Sequence, residues 1–212
     1  RIESEVDPQL TVACALRVDY DAPRRYKQLR DLLGADRLTD IDRFLLDDAT
    51  YSNRLQNDLR HPDRTVGEGD RFGYDYRTVR CEVAADGVVR YRSDRWTAAF
   101  GASVGRCVVR RRGFYEKELF PGAGSYGGSS RLRFTPYALR ASAGYAFSSR
   151  SYLEISASAS AAVPDVEDLF LQPLYNNRTV DDPSLSRRYG AELGFVRTGG
   201  AFELRGTGYL AA

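Results

Sequence analysis

Apolar and polar residues alternate along this chain with a period of two. The stretch YLEISASASAAV, residues 152–163, sets Leu153, Ile155, Ala157, Ala159, Ala161 and Val163 at one parity. Tyr152, Glu154, Ser156, Ser158, Ser160 and Ala162 fall at the other. Successive side chains on a strand point to opposite faces, so this stretch predicts a strand with one apolar and one polar face. Similar alternation predicts strands at 10–20, 75–91, 96–110, 134–147, 188–197 and 201–212. Val12, Cys14, Leu16, Val18 and Tyr20 share the apolar face of the first. Val79, Cys81, Val83, Ala85, Val89 and Tyr91 share that of the second, and Trp96, Ala98, Phe100, Ala102 and Val104 that of the third.

The connections between these seven strands sort by length. Residues 21–74, 114–133 and 164–187 form long segments, whereas 92–95, 148–151 and 198–200 form tight turns. In the first long segment, APRRYKQLRDLLG predicts a short helix ended by Gly34, and LTDIDRFLLDDAT predicts a further helical turn. Charge lies along the polar faces at Arg17, Arg80, Glu82, Asp86, Arg140, Glu154, Glu192, Glu203 and Arg205. Aromatic residues sit near the ends of the apolar faces: Tyr20, Trp96, Tyr137, Phe147 and Phe202. The fold class expected is all-β, an antiparallel up-and-down transmembrane β-barrel segment of about seven strands, with a short helix in one long loop. A soluble sandwich also alternates, with its apolar face inward. Strands beyond the usual ~5–6 residues, alanine-rich apolar faces and segregated loop lengths favour the barrel.

Composition narrows the function classes. The net charge of +2 and the scattered basic residues give no nucleic-acid footprint. The densest basic run, VVRRRGFYEK at 108–117, reads as a solvated strand end or loop. No run of ~20 apolar residues predicts a transmembrane helix. The 3 cysteines, Cys14, Cys81 and Cys107, fit no metal spacing, and Cys14 and Cys81 read as small buried hydrophobes. A single histidine, His61, builds neither a metal site nor a catalytic triad. The acidic group Asp40, Asp42, Asp47 and Asp48 lacks the spacing of a calcium loop and reads as a solvated acidic loop. No catalytic, cofactor-binding or metal-binding residue is assigned. The chain begins with Arg1, contains no Met and carries no signal-peptide pattern, so it reads as a piece of a longer protein.

The C-terminal third resembles the barrel of TonB-dependent outer-membrane receptors, in particular the Bacteroidetes form. The likeness rests on PDVEDLFLQP, then NNRTVDDPSLSRRYGAELGF, then LRGTGY. Asn177, Arg178, Pro183, Leu185, Glu192, Leu193, Gly194, Arg205, Thr207, Gly208 and Tyr209 match the family pattern. LLGADRLTDIDRF, QNDLRHPDRTVGEGDRFGYDY and SSRSYL resemble its loop and turn segments. The chain departs from the pattern at Arg187-Arg188, where an acidic and a hydrophobic residue are common, and it carries no plug domain. Family barrels have about 22 strands, of which this chain would supply about seven.

The resemblance implies TonB-driven uptake across the outer membrane of a Gram-negative bacterium. The implied partners are outer-membrane lipid, a plug domain and TonB contact elsewhere in the parent chain, and a scarce nutrient. That nutrient would be an iron-siderophore, haem, cobalamin, glycan or peptide. The long loops would then be extracellular and the tight turns periplasmic. Tyr51, Phe114, Tyr115, Tyr126, Phe170 and Tyr175 are the candidate ligand contacts. The alternatives are a non-transporting outer-membrane barrel, adhesin or structural, and a soluble β-rich carbohydrate-binding module.

Overall fold

The computed structural model describes residues 2–43, 50, 55–199 and 203–212. In chain order its strands are β1 (Ile2–Asp7), β2 (Leu10–Asp21), β3 (Arg24–Gln28), β4 (Leu38–Thr39), β5 (Thr65–Val66), β6 (Arg71–Arg92) and β7 (Trp96–Gly113). Then follow β8 (Gly127–Gly128), β9 (Leu132–Phe134), β10 (Tyr137–Ser148), β11 (Ser151–Ala162), β12 (Ser186–Thr198) and β13 (Glu203–Ala211). One antiparallel sheet runs β1-β2-β6-β7-β10-β11-β12-β13, with β3 added to β6 and β8 and β9 added to β7. The small pair β4-β5 stands apart. Among the described residues the sheet is open, with β1 and β13 at its edges.

Register carries the alternation across the sheet. Directly paired residues share a face. Val12, Val89, Phe100, Ala141, Ala157, Ala191 and Leu210 form one unbroken apolar row over seven strands. Little covers that face: Leu16 is 81% exposed, Ile155 53% and Leu193 51%. Aromatics gather towards its two ends. Trp96 lies 4.6 Å from Tyr145, and Tyr145 meets Phe147 edge-on at 5.1 Å, beside the tight turns. Tyr20, Tyr137 and Tyr189 stand nearer the long loops. The opposite face is polar and paired. Arg80 donates to Glu82 at 2.8 Å, and Arg17 lies 3.6 Å from the same carboxylate. Glu154, Glu192, Arg205 and Thr207 line one small groove on β11–β13.

The buried apolar cluster is not sandwiched between sheets. Cys107, Val109 and Phe134 pack with Val163, Leu169 and Phe170, where residues 163–185 fold onto the polar-face side of β7. Val163, expected to extend the apolar face of β11, lies past the end of that strand and joins this cluster.

Four expectations need correction. The helix at 22–34 is replaced by β3, because the backbone of 24–28 finds a ladder on the extended β6. Leu33 and Gly34 instead form a turn with φ of 53° and 87°. No α-helix occurs among the described residues; the helical segments are the short 3-10 turns Gly122–Gly124 and Val166–Leu169. The helical turn expected in LTDIDRFLLDDAT is absent from its described part, where Leu38–Thr39 forms β4 and Ile41 bridges Gln56; residues 44–49 and Phe202 lie outside the described residues. Among the described residues eight principal strands replace seven, since IESEVD pairs with β2, Ile2 opposite Cys14 and Ser4 opposite Val12. Cys14 is exposed and Cys81 half-buried rather than buried, because the described residues leave their face of the sheet uncovered.

This uncovered face predicts behaviour in water. Contiguous exposed apolar surface and two free strand edges drive association. Light scattering should report aggregates in plain buffer and a discrete species in detergent. A monodisperse monomer that unfolds cooperatively without detergent is the result that contradicts the expectation.

Candidate functional site

β6 and β7 are longer than the other strands and rise beyond the apolar rows on the side of the long loops. All three long segments fold against this projecting hairpin. Its edge is shaped by Gly73, whose φ of +73° is open to glycine and strained for other residues. There the pairing with β3 shifts between Tyr26 and Lys27, so that Lys27 faces Phe72 and Tyr26 faces Asp75.

The irregularity at Gly73 turns its backbone toward two buried charges. Its N–H donates to Asp40 Oδ1 at 2.8 Å, and its carbonyl accepts from Lys117 Nζ. Asp40, 2% exposed, also accepts from Asn57 Nδ2 at 2.9 Å and from Arg64 Nη2. Asn57 Oδ1 accepts from Lys117 Nζ, so the amide bridges carboxylate and ammonium. Arg64 Nη2 further donates to Tyr115 Oη at 2.9 Å and to the Arg71 carbonyl at 2.8 Å. Asp75 is clamped by Arg24 through Nε at 2.7 Å and Nη2 at 2.6 Å, with Arg71 Nη1 at 3.1 Å. Buried charges persist only when paired in this way.

A second knot joins the other two loops. Arg111, near the end of β7, is 2% exposed. It donates from Nε to the Pro173 carbonyl at 2.6 Å and from Nη1 to the Ser125 carbonyl at 3.0 Å and to Asn177 Oδ1. Asn177 Nδ2 donates to the Ala123 carbonyl at 2.9 Å. The run 108–117 is therefore not a uniformly solvated strand end: Arg111 and Lys117 are internal fasteners.

Two cavities open in this cap. One, of about 430 Å³, is lined by Lys27, Asp42, Arg43, Asn57, Phe72, Tyr74, Lys117 and Tyr175, among others. The other, of about 530 Å³, is bordered by Arg25, Tyr76, Glu167, Phe170, Gln172 and Tyr175. Tyr175 lies on both, with Lys117 Nζ 5.3 Å from its ring centroid. The first cavity combines aromatic faces with an excess of cations, a setting suited to an anionic solute with flat surfaces.

The sequence-derived contacts divide accordingly. Tyr175 lines both cavities and Phe170 borders the second from the apolar cluster. Tyr115 binds Arg64, Phe114 lies under Arg24 at 4.2 Å, and Arg60 sits over Tyr126 at 4.6 Å, so these three hold the loops in place. Tyr51, Asp47 and Asp48 lie outside the described residues. Asp40 and Asp42 are buried, contrary to a solvated acidic loop, and cationic and amide donors enclose Asp40. No cluster of metal-ligating side chains occurs among the described residues. Sequence reasoning did not single out Lys117, Arg111 or Asn57 as site residues and named Asn177 only for its match to a family pattern; alternation along the chain carries no signal that such polar side chains are buried.

A scan against protein-family models found no match, and searches of the curated proteins and of the solved structures found none either.

Burial pulls the Lys117 ammonium down to about 8, against the partial support of Asp42, Asp40 and Asp58 and with Arg111 adding to the fall. Between about pH 8 and the ordinary lysine value of 10.5 the unfolded chain then binds the extra proton, so stability rises with pH in that window. Tyr115 and Tyr175 are pushed up, chiefly by burial, and oppose the gain only above the usual tyrosine value of 10.0. Melting in detergent should therefore shift upward between roughly pH 8 and 9.5. Lys117→Met should flatten that profile, and an unchanged slope in the variant would show that Lys117 is not its source.

Proposed function

We propose that this chain is part of a transmembrane β-barrel in a bacterial outer membrane, of the TonB-dependent receptor type, and that its loop cap takes part in binding a scarce nutrient for import. The observation that carries the reading is the apolar row from Val12 to Leu210, uncovered on one face while charges pair on the other. From Tyr137 to Tyr145 the strand covers roughly 27 Å. Tilted by about 40°, it crosses roughly 20 Å, close to the apolar band of an outer-membrane barrel with aromatics at its margins.

On this reading the long loops face the exterior and the tight turns the periplasm. The polar face lines the interior, where Arg80 and Arg17 pair with Glu82 and Asp19. The cap would receive an anionic solute between Phe72, Tyr74 and Tyr175, with Lys27 and Lys117 supplying charge. A plug domain and a TonB contact, which couple such barrels to the inner-membrane proton gradient, are assigned to other parts of the parent protein.

Adjacent residues on opposite faces provide the test. Ala157→Arg puts a charge in the apolar row and should cost about 2–4 kcal/mol at the bilayer midplane. Ser158→Arg should cost little. Expressed in a Gram-negative host, the parent protein should fractionate with the outer membrane, and Ala157→Arg should cut the assembled fraction while Ser158→Arg should not. Equal effects of the two substitutions, or a protein recovered in soluble fractions, would sink the reading.

A further inference from the structure

The apolar face changes character at its loop end. Beyond Val104 the same parity of β7 continues through Arg106, Val108, Arg110 and Arg112. β9 adds Arg133, paired with Val108, and Arg110 pairs with Val79, so both arginines stand on the apolar side of the sheet. With Arg131 they rim a groove of about 360 Å³ floored by Val79, Cys81 and Val108, with Tyr20 at its margin. Arg131 and Arg133 are exposed and Arg110 is half-buried.

These cations lack acidic partners. Among the described residues no carboxylate forms an ion pair with Arg110, Arg131 or Arg133. No acidic residue shares this parity on β2 or β7. On β6 the one that does, Asp75, is already held by Arg24 and Arg71. Arg110, Arg131 and Arg133, with Arg106 and Arg112 at the same parity of β7, are costly beside hydrocarbon unless an anion meets them. Guanidinium forks match phosphate oxygens in pairs, and the apolar floor continues into the exposed band through Val83 and Val18.

We propose that this groove binds a phosphorylated lipid of the surrounding membrane. The phosphate lies between Arg110, Arg131 and Arg133, and a hydrocarbon chain runs down the sheet over Val108 and Cys81. The inference rests on the membrane reading above and concerns the opposite face from the nutrient cap.

Native mass spectrometry of the detergent-solubilised protein, titrated with phosphatidic acid, tests it. Phosphatidic acid should bind, while diacylglycerol with the same chains should not compete. R110Q/R131Q/R133Q should weaken binding roughly fivefold per arginine, on the order of a hundredfold in all. R131Q/R133Q, confined to exposed positions, should weaken it about thirtyfold with the fold intact. R140Q, on the polar face, should leave it unchanged. Phosphatidic acid binding that survives both arginine variants overturns the proposal, as does displacement by inorganic phosphate at equal concentration, which would make the ligand a free anion. If the wild-type protein is absent from membranes, the membrane reading fails; if it resides there and the variants bind normally, only the lipid site fails.

Discussion

Strand register is the constraint on which the rest of this molecule depends. Each main strand carries one largely apolar face and another that holds charge, and a slip of one residue would exchange them. The ladder prevents this by agreement between neighbours. Val89 faces Phe100, Phe100 faces Ala141, and Ala141 faces Ala157, so a slip in one strand would set charge against the apolar rows of two others. The same register lets Arg17 on β2 reach Glu82 on β6 while Arg80 holds it from within β6. Small residues suit this face, which no layer of the described residues covers; Ala141, Ala157 and Ala191 would leave voids in a sandwich core.

Above the rows the logic reverses. The loops are fastened by charge and by backbone groups as well as by the apolar cluster that Val163, Leu169 and Phe170 form on β7. Gly73 is where the two regimes meet: the ladder with β3 shifts, and the freed N–H and carbonyl are claimed by Asp40 and Lys117. This arrangement couples the first and second long loops, since Asn57 touches both buried charges. Arg111 does the same for the second and third through carbonyls of Ser125 and Pro173. Removing one partner from such a knot leaves the others buried and unsatisfied, so the cap is organised as a unit. Tyr175, on the margin of both cavities, is placed by that organisation rather than by packing alone.

The strands were legible because period two is a local signal, and the four central hairpin partners fall within a few residues of their expected bounds. β1 escaped because its polar positions are acidic and its apolar ones few, although Ile2 stands opposite Cys14. The helix expected before Gly34 failed for a non-local reason: β6 runs four residues further toward the loops than its alternation shows, and its edge captures 24–28. Phe170 and Tyr175 were identifiable as aromatic loop residues. Lys117 and Arg111 were not, because their burial is decided by partners up to 66 residues away in sequence.

The edges of the sheet carry the last consequence. β1 and β13 each present one row of main-chain donors and acceptors without a strand partner among the described residues. In water such groups are solvated, and the acidic positions Glu3, Glu5 and Asp7 on β1 discourage pairing with another sheet. In a bilayer every one of them would have to be hydrogen-bonded, which strands achieve only in a closed barrel. The membrane reading and the open sheet are therefore compatible only if further strands meet both edges. Those strands must continue the same parity, with apolar side chains level with Ile2 and Val6 on one side and with Leu204 and Leu210 on the other.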